Sequence, residues 1–326
     1  MSLQTIFIAI LLKYMQLKKK LIRLSPLNAK TKKRLIDTLK LKQLLKRSEL
    51  QQAAIKELFG PYSVGLLFNT SNGLLINAFT DVQITESLGK KGAYNKKELD
   101  ILLSLINSND NVYIVGAHIG TLLVPIAKKS KTVIGFEANP TTYELLSINK
   151  SLNNTTNASI YNYAVYKSET TLEFYQNKAN TGGSKIKPAT DTYKYNYDKP
   201  SVIEVKGDRL DTLREKFSLP YPSFIIMDIE GAEYFALQGA EECLAKTSFL
   251  YIEFVPDHLK NVSNIKVEQF IIFLTKYFDV MRLIDEEINN DNKEYKNTEI
   301  TEKLNLLYNQ DKSADLLFSK SKMLKY

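Results

Sequence analysis

The stretch Val112-Tyr-Ile-Val-Gly116-Ala-His-Ile-Gly120 decides the fold. A short apolar run passes through two glycines into residues 122–129, whose composition is helical. That is the pattern of a buried strand, a turn and a helix. Glycine at 116 and 120 lets the backbone turn sharply and approach a ligand without a Cβ in the way. The free N–H groups of the helix start could then meet a nucleotide-like ligand. The spacing is Gly-x-x-x-Gly. It is not the Gly-x-Gly-x-x-Gly of dinucleotide folds, and no Lys-Ser/Thr follows to make a phosphate loop.

Working outward, Thr132-Val-Ile-Gly-Phe136 predicts the next strand, and it ends in Glu137. An acid about 20 residues beyond such glycines can accept both ribose hydroxyl hydrogens. Glu137-Ala-Asn139-Pro140 then leads into a helix over 143–152. Further strands are expected at 159–165, 224–228, 249–255, 280–284 and 316–319, with helices at 232–244 and 265–277. Residues 171–175 alternate in polarity and are expected to pair with 202–205. Strands alternating with helices predict a doubly wound, mainly parallel α/β sheet. Ligands of such sheets sit beyond the carboxyl ends of the strands, so the informative loops follow residues 115, 136, 164, 228 and 255.

The ordered set of motifs resembles the FkbM family of class I methyltransferases. It comprises Val-Gly116-Ala-His118-Ile-Gly120-Thr, Gly-Phe-Glu137-Ala-Asn139-Pro, Asn162-Tyr-Ala164-Val and Thr181-Gly-Gly-Ser184. It continues with Asp211-Thr-Leu, Ile226-Met-Asp228-Ile-Glu230-Gly-Ala-Glu233, Tyr251-Ile-Glu253 and a late Asp315-Leu-Leu-Phe, over roughly residues 80–320. The resemblance implies a Rossmann-like class I methyltransferase fold with a mainly parallel seven-stranded sheet and flanking helices. It also implies S-adenosyl-L-methionine as methyl donor and a hydroxyl, often on a glycan or other small polar molecule, as acceptor. Carried over residue by residue, Gly116, Ala117 and Gly120 would line the methionine moiety. Glu137 would hold the ribose, with Asn139 beside it, and Asn162 and Ala164 would border the adenine. His118 and Asp228 would complete the cofactor site. The family usually has Asp two residues before the first glycine of this loop, where this chain has Ile114.

Methyl transfer from a sulfonium to an alcohol needs donor and acceptor held near attack distance. It also needs a group to take the hydroxyl proton. Asp228 and Glu230, at the end of an apolar strand, are the candidates, and both would also suit the start of the following helix. His118, one of two histidines, is a further candidate because imidazole titrates near neutrality. Glu253 is a possible acid on the acceptor side. His258, after Pro256-Asp257, reads as a surface residue, with lining of the acceptor pocket as the alternative. Gly182 and Gly183 could hinge a lid. Tyr193, Tyr195 and Tyr197 read as surface residues that could also stack on a sugar. No metal ligands are assigned, since Asp228 and Glu230 alone make no ligand set.

Charge divides the chain. Residues 1–47 carry 13 Lys/Arg against one acid, Asp37, while the remainder carries 31 Lys/Arg against 35 Asp/Glu. The expected organisation is a basic helical N-terminal extension over 1–60 and a methyltransferase domain over 61–326. The apolar run 6–12 is too short to span a bilayer, and the lysines following it do not make a signal peptide. Leu17, Leu21 and Leu24 share a helical face, and Leu35, Leu39 and Leu45 suggest a second helix after Ser25-Pro26. Such an arm could contact an anionic membrane or dock on the body. The lone Cys243 excludes an internal disulfide and points to a reducing, cytoplasmic setting, to which the arm could add membrane association. Two other readings remain open. One is a nucleic-acid methyltransferase, which the mildly acidic body and the absence of an Asn-Pro-Pro-Tyr motif disfavour. The other is a non-catalytic cofactor-binding scaffold held at a membrane, which Ile114 favours.

Overall fold

Val112, Tyr113, Ile114 and Val115 are all buried, as a strand of a parallel sheet covered on both faces must be. A computed structural model of the chain describes residues 3–284 and 293–321. In chain order its elements are α1 (Leu3–Leu24), α2 (Ala29–Phe59), β1 (Gly65–Thr70), β2 (Gly73–Ala78), α3 (Val82–Lys91), α4 (Lys96–Leu105), β3 (Asn111–Val115), α5 (Leu123–Ala127) and β4 (Thr132–Phe136). Next come α6 (Pro140–Leu152), β5 (Ala158–Tyr161), β6 (Ala164–Val165), β7 (Thr170–Gln176), β8 (Lys185–Ile186), α7 (Tyr193–Asn196), β9 (Ser201–Asp208), α8 (Leu210–Lys216) and β10 (Phe224–Met227). The chain ends with α9 (Glu233–Gln238), α10 (Glu241–Lys246), β11 (Phe249–Phe254), α11 (Pro256–Asn261), α12 (Val267–Thr275), β12 (Val280–Leu283), β13 (Tyr295–Lys296), α13 (Thr298–Asn309) and β14 (Ala314–Ser319).

The central sheet runs β13-β12-β14-β11-β10-β3-β4-β5. Strands β5, β4, β3, β10 and β11 are mutually parallel, whereas β14 runs antiparallel to β11 and β12. This is the class I methyltransferase order of seven strands, with the short β13 added at one edge. Alternation along the strands feeds two cores. Tyr113, Val115, Ile134, Phe136, Ile225 and Met227 enter one, and Val112, Ile114, Val133, Phe224 and Ile226 enter the other. The chain leaves β3 toward β4 on one side and returns to β10 on the other, so the order reverses between β3 and β10. A crevice opens at such a point.

A second, four-stranded sheet, β6-β9-β7-β8, stands beside this crevice. Its β7 pairs with β9 in the register Leu172↔Val205 and Tyr175↔Val202, which gives the expected pairing of 171–175 with 202–205. Two expected elements are divided. The strand expected at 159–165 ends at Tyr161 and restarts as β6 in the second sheet, because the chain turns at Asn162 with Tyr163 N–H bonded back to Tyr161 O at 3.1 Å. The helix expected at 232–244 breaks at Gly239, where a Cβ would lie 2.0 Å from Tyr166 O. The β1–β2 hairpin, α3, α4 and α13 were not expected.

The N-terminal arm forms the helices α1 and α2, and α2 starts on the side chain of Asn28, which accepts from Thr31 N–H. The side chains of residues 3–12 lie outside the described ones. The body grips α2 by polar contacts: Ser48 Oγ donates to Thr80 O at 2.7 Å, Arg47 pairs with Glu86, and Lys33 pairs with Asp311 at 2.8 Å. On α1 the face bearing Leu17, Leu21 and Leu24 stays 55%, 58% and 74% exposed. Among the described residues no helix is long and apolar enough to cross a membrane. Cys243 is fully buried in the core between α10 and the sheet, as a structural thiol.

Candidate active site

The loop after β3 needs its glycines for two different reasons. Gly116 has φ +90°, and a Cβ on it would lie 2.0 Å from Asp228 O. The loop therefore lies directly against the end of β10. Gly120 has φ +92° and faces Leu146, beneath the loop. Gly116 and Ala117 line the crevice, whereas Gly120 does not; its contribution is the backbone turn. Gly116→Ala should destabilise the fold by about 1–3 kcal/mol from backbone strain alone. Urea unfolding reads this as a lower midpoint with an unchanged slope. An unchanged midpoint would mean that the loop moves off β10 freely.

The loop is held from the neighbouring strand. Gly116 and Ala117 N–H both donate to Phe136 O, at 2.9 and 3.0 Å. His118 N–H donates to Glu137 Oε2 at 2.8 Å, and Asn139 N–H donates to Glu137 Oε1 at 2.9 Å. Burial, opposed by these two donors, lifts the Glu137 pKa to about 7. Each oxygen keeps acceptor capacity toward the crevice. Asn139 itself does not line the crevice. Its side chain caps α6 at Thr141 N–H and accepts from Gln176 Nε2. Asn162 also stands behind the wall, its amide donating to Glu137 O at 2.7 Å and Ala138 O at 3.1 Å. It positions the turn that carries Glu137. Ala164, with Tyr163 and Val165, lines the far wall.

His118 adopts φ +49° and is half-buried. Burial pulls its pKa down to about 4, with Glu230 acting weakly in the other direction, so it is neutral at pH 7. Its Nε2 lies 2.8 Å from Thr181 Oγ1. Thr181 in turn bonds Asp81 through its hydroxyl and through its N–H, the latter at 3.1 Å. Asp81 also caps α3 at Ile84 N–H. The Thr181–Gly183 turn is thus tied to the cofactor loop and to α3 over the crevice, whose volume is about 310 Å³. Ligand sites commonly measure about 300–1,000 Å³.

The floor is acidic. Asp228 follows β10 and presents its side chain to the open crevice. Burial among protein atoms, then the nearby charges of Glu230, Glu233, Asp315 and Glu98, raise its pKa well above the usual carboxylate value. Its carboxylate is exposed only into the crevice, with protein atoms around it on the other sides. Glu230 differs. Burial works against its charge, but Lys185 Nζ at 2.8 Å and nearby His258 hold it below its ordinary value. Glu230 sits at φ +57°, in a turn completed by Gly231. Glu233 Oε1 accepts from Ile229 and Gly231 N–H at 3.0 and 3.2 Å and so supports that turn.

Two expectations are overturned here. His258 is not a surface residue. It is buried beside Glu230 and Glu253, because α11 folds back over the end of β11. Its pKa is drawn down to about 3, first by burial and then by Lys185. Tyr195 and Tyr197 are also buried, and only Tyr193 is exposed. Tyr195 packs in the core of the second sheet with its hydroxyl on Asp257. Residues to which the sequence reading gave no role also face the crevice: Tyr251 and Asp315, named only within motifs, and Glu98 and Tyr94, not named at all. Tyr251 donates its hydroxyl to Glu98 at 2.7 Å. Ile114 is buried in the core and does not line the crevice.

Residues 115–289 match the family model of the methyltransferase FkbM domain. The solved structures similar to this chain include an FkbM methyltransferase from Methylobacillus flagellatus, at 15% identity and TM-score 0.40, with 69% of this chain and 48% of that chain covered. They also include M. jannaschii TYW2 in complex with AdoMet, at 15% identity and TM-score 0.41, covering 79% and 87% of the two chains. An rRNA methylase from Streptococcus thermophilus shares 13% identity at TM-score 0.37, covering 68% and 93%. This chain therefore spans about half the length of the Methylobacillus protein. No curated protein gives a significant match.

Proposed function

This chain belongs to the methyltransferase FkbM domain family, and from that premise we propose that it transfers a methyl group from S-adenosylmethionine to a hydroxyl of a sugar or other small polar acceptor. The observation that carries the reading is the cradle made by Gly116, Ala117 and Glu137. Gly116 lets the loop lie against the end of β10 so that it and Ala117 line the crevice, and a buried carboxylate with free acceptor capacity stands beside them. These residues fit a nucleoside: Glu137 would take the two ribose hydroxyls, and Tyr163, Ala164 and Val165 would flank the base.

When bound, S-adenosylmethionine supplies an electrophilic methyl on a sulfonium. The chain's own residues then have three tasks. The loop 116–118 and Glu137 fix the nucleoside end. The tied turn 181–183 covers the crevice and limits water. Asp228 holds the acceptor oxygen and takes its proton as the new O–CH3 bond forms and the sulfur keeps the electron pair of the broken bond. A carboxylate whose proton affinity is raised by its surroundings suits this role. Glu230, already paired with Lys185, is the weaker base and serves better to position the turn.

The acids around the floor favour a neutral acceptor over a polyanion. Incubation with methyl-labelled donor and parallel panels of free sugars, nucleotide sugars, lipid-linked glycans and RNA tests this. Label is expected in a glycan or small alcohol; label in RNA alone would overturn the acceptor class. The exposed Leu17, Leu21 and Leu24, set among Lys18, Lys20 and Arg23, support peripheral contact with an anionic membrane. Flotation with phosphatidylglycerol vesicles should recover the full chain and leave the Leu17→Ser/Leu21→Ser/Leu24→Ser variant at the bottom. Equal recovery would remove the arm from that role.

A further inference from the structure

Three side chains from separate elements meet in series at one corner of the crevice. His118 Nε2 lies 2.8 Å from Thr181 Oγ1. The Thr181 hydroxyl donates to Asp81 Oδ2, which also accepts from Thr181 N–H at 3.1 Å. Asp81 Oδ1 accepts from Ile84 N–H at 3.2 Å at the start of α3. Asp81 is fully buried, and burial raises its pKa while these donors lower it. Each of its oxygens already accepts from a backbone N–H, so the carboxylate is held in its ionised, acceptor-only form.

Proton counting along this series orients the imidazole. An ionised carboxylate only accepts, so the single hydroxyl proton of Thr181 is committed to Asp81. Thr181 Oγ1 then has only lone pairs for His118, and the proton between them belongs to Nε2. A neutral ring protonated at Nε2 carries its free lone pair on Nδ1. The ring is neutral at pH 7, its pKa being drawn down to about 4 by burial. Its backbone is fixed as well, at φ +49° with the N–H on Glu137 Oε2. His118 and Thr181 both line the crevice, whereas Asp81 stands behind them.

We propose that Asp81, acting through the Thr181 hydroxyl, fixes His118 in the Nε2–H tautomer, and that His118 Nδ1 accepts a hydrogen bond from the ammonium group of the bound cofactor. The second half rests on the methyl-transfer reading. Of the hydrogen-bond donors that S-adenosylmethionine carries, the ribose hydroxyls go to Glu137 and the base lies along Tyr163, Ala164 and Val165, which leaves the ammonium for the loop. A neutral ring suits that task, because an imidazolium has no lone pair to offer and repels a cation. Asp81 is a positioning residue whose effect travels through one hydroxyl. The sequence gives no sign of it, since Asp81 and Thr181 are 100 residues apart and meet only where α3 packs under the 181–183 turn.

The chain has two histidines, so nitrogen-15 labelling of histidine in the full chain gives a readable spectrum. Long-range proton–nitrogen spectra at pH 7.5 report each ring's tautomer, and His118→Gln assigns the signals by their loss. His118 is expected as Nε2–H alone. Thr181→Val should give a mixture of tautomers, and Thr181→Ser should restore the single form. Asp81→Asn, whose amide offers one acceptor where the carboxylate uses two, should also give a mixture. Calorimetry reads the ligand side. Thr181→Val should weaken S-adenosylhomocysteine binding about tenfold, the loss of one hydrogen bond to a charged group. It should leave 5′-methylthioadenosine, which lacks the amino-acid end, bound as in the parent. Equal weakening of both ligands would mean that the variant merely displaces the turn, and it overturns the proposal. An Nδ1–H ring in a parent that binds S-adenosylhomocysteine sinks the tautomer assignment alone. A parent that binds neither nucleoside sinks the proposed function and the ammonium contact with it, while a spectrum of Nε2–H alone would still uphold the Asp81 relay.

Discussion

Asp228→Asn is expected to lower the turnover number by about 10²–10⁴-fold, the usual contribution of a positioned proton acceptor. Asparagine keeps the shape of the side chain, so the end of β10 and its contact with Gly116 should persist. The substitution removes the group whose proton affinity burial and the surrounding acids raise. The affinity for S-adenosylhomocysteine should change little, because the nucleoside end rests on Glu137 and the loop. Turnover within tenfold of the parent would assign the proton to another group. His118 is the less suitable alternative, since its lowered pKa of about 4 makes it a weak base and its Nε2 is engaged with Thr181. Glu230 is held by Lys185.

Glu137→Ala should weaken S-adenosylhomocysteine binding about 100-fold. Two hydrogen bonds to a charged acceptor contribute roughly 1.5 kcal/mol or more each, and about 1.4 kcal/mol is a factor of ten. The same carboxylate sets a pH dependence. With its pKa raised to about 7, Glu137 binds a proton in the free protein below that pH. Ribose hydroxyls donate best to the ionised form, so binding expels the proton. Affinity should therefore be flat above pH 7 and fall by about tenfold for each unit below it, until the pKa of the complex is reached. Glu137→Gln should bind weakly with no such slope. Calorimetry at pH 6, 7 and 8 in buffers of different ionisation enthalpy measures both the affinity and the proton release. A parent profile that stays level between pH 6 and 8 would take Glu137 out of the ribose role.

Part of the crevice wall was legible in the sequence. Gly116, Ala117 and Glu137 are close in the chain to the two strands that present them, so a local pattern of strand, glycine and acid predicts their placement. The same pattern could not tell a wall residue from a brace behind it. Asn139 and Asn162 stand in the right motifs, yet their side chains secure α6 and the Glu137 turn. The acceptor side was less legible. Asp228 and Glu230 end one strand and both are opposed by burial, but Lys185, far away in sequence, holds Glu230 down while the neighbouring acids, with Asp315 and Glu98, raise Asp228 further.

The sequence by itself determined the doubly wound sheet, because continuous apolar runs alternating with helical segments can bury their surfaces in few other ways. It also specifies the sharp turn after β3, because only glycine tolerates the positive φ and the close approach to Asp228 at position 116. The charge states at the floor of the crevice follow from packing. Residue identity gives a carboxyl or an imidazole, whereas charge state depends on burial and on neighbours brought by other elements. His258 shows the difference. After Pro256-Asp257 it reads as exposed, and the return of α11 over β11 buries it between Glu230 and Glu253.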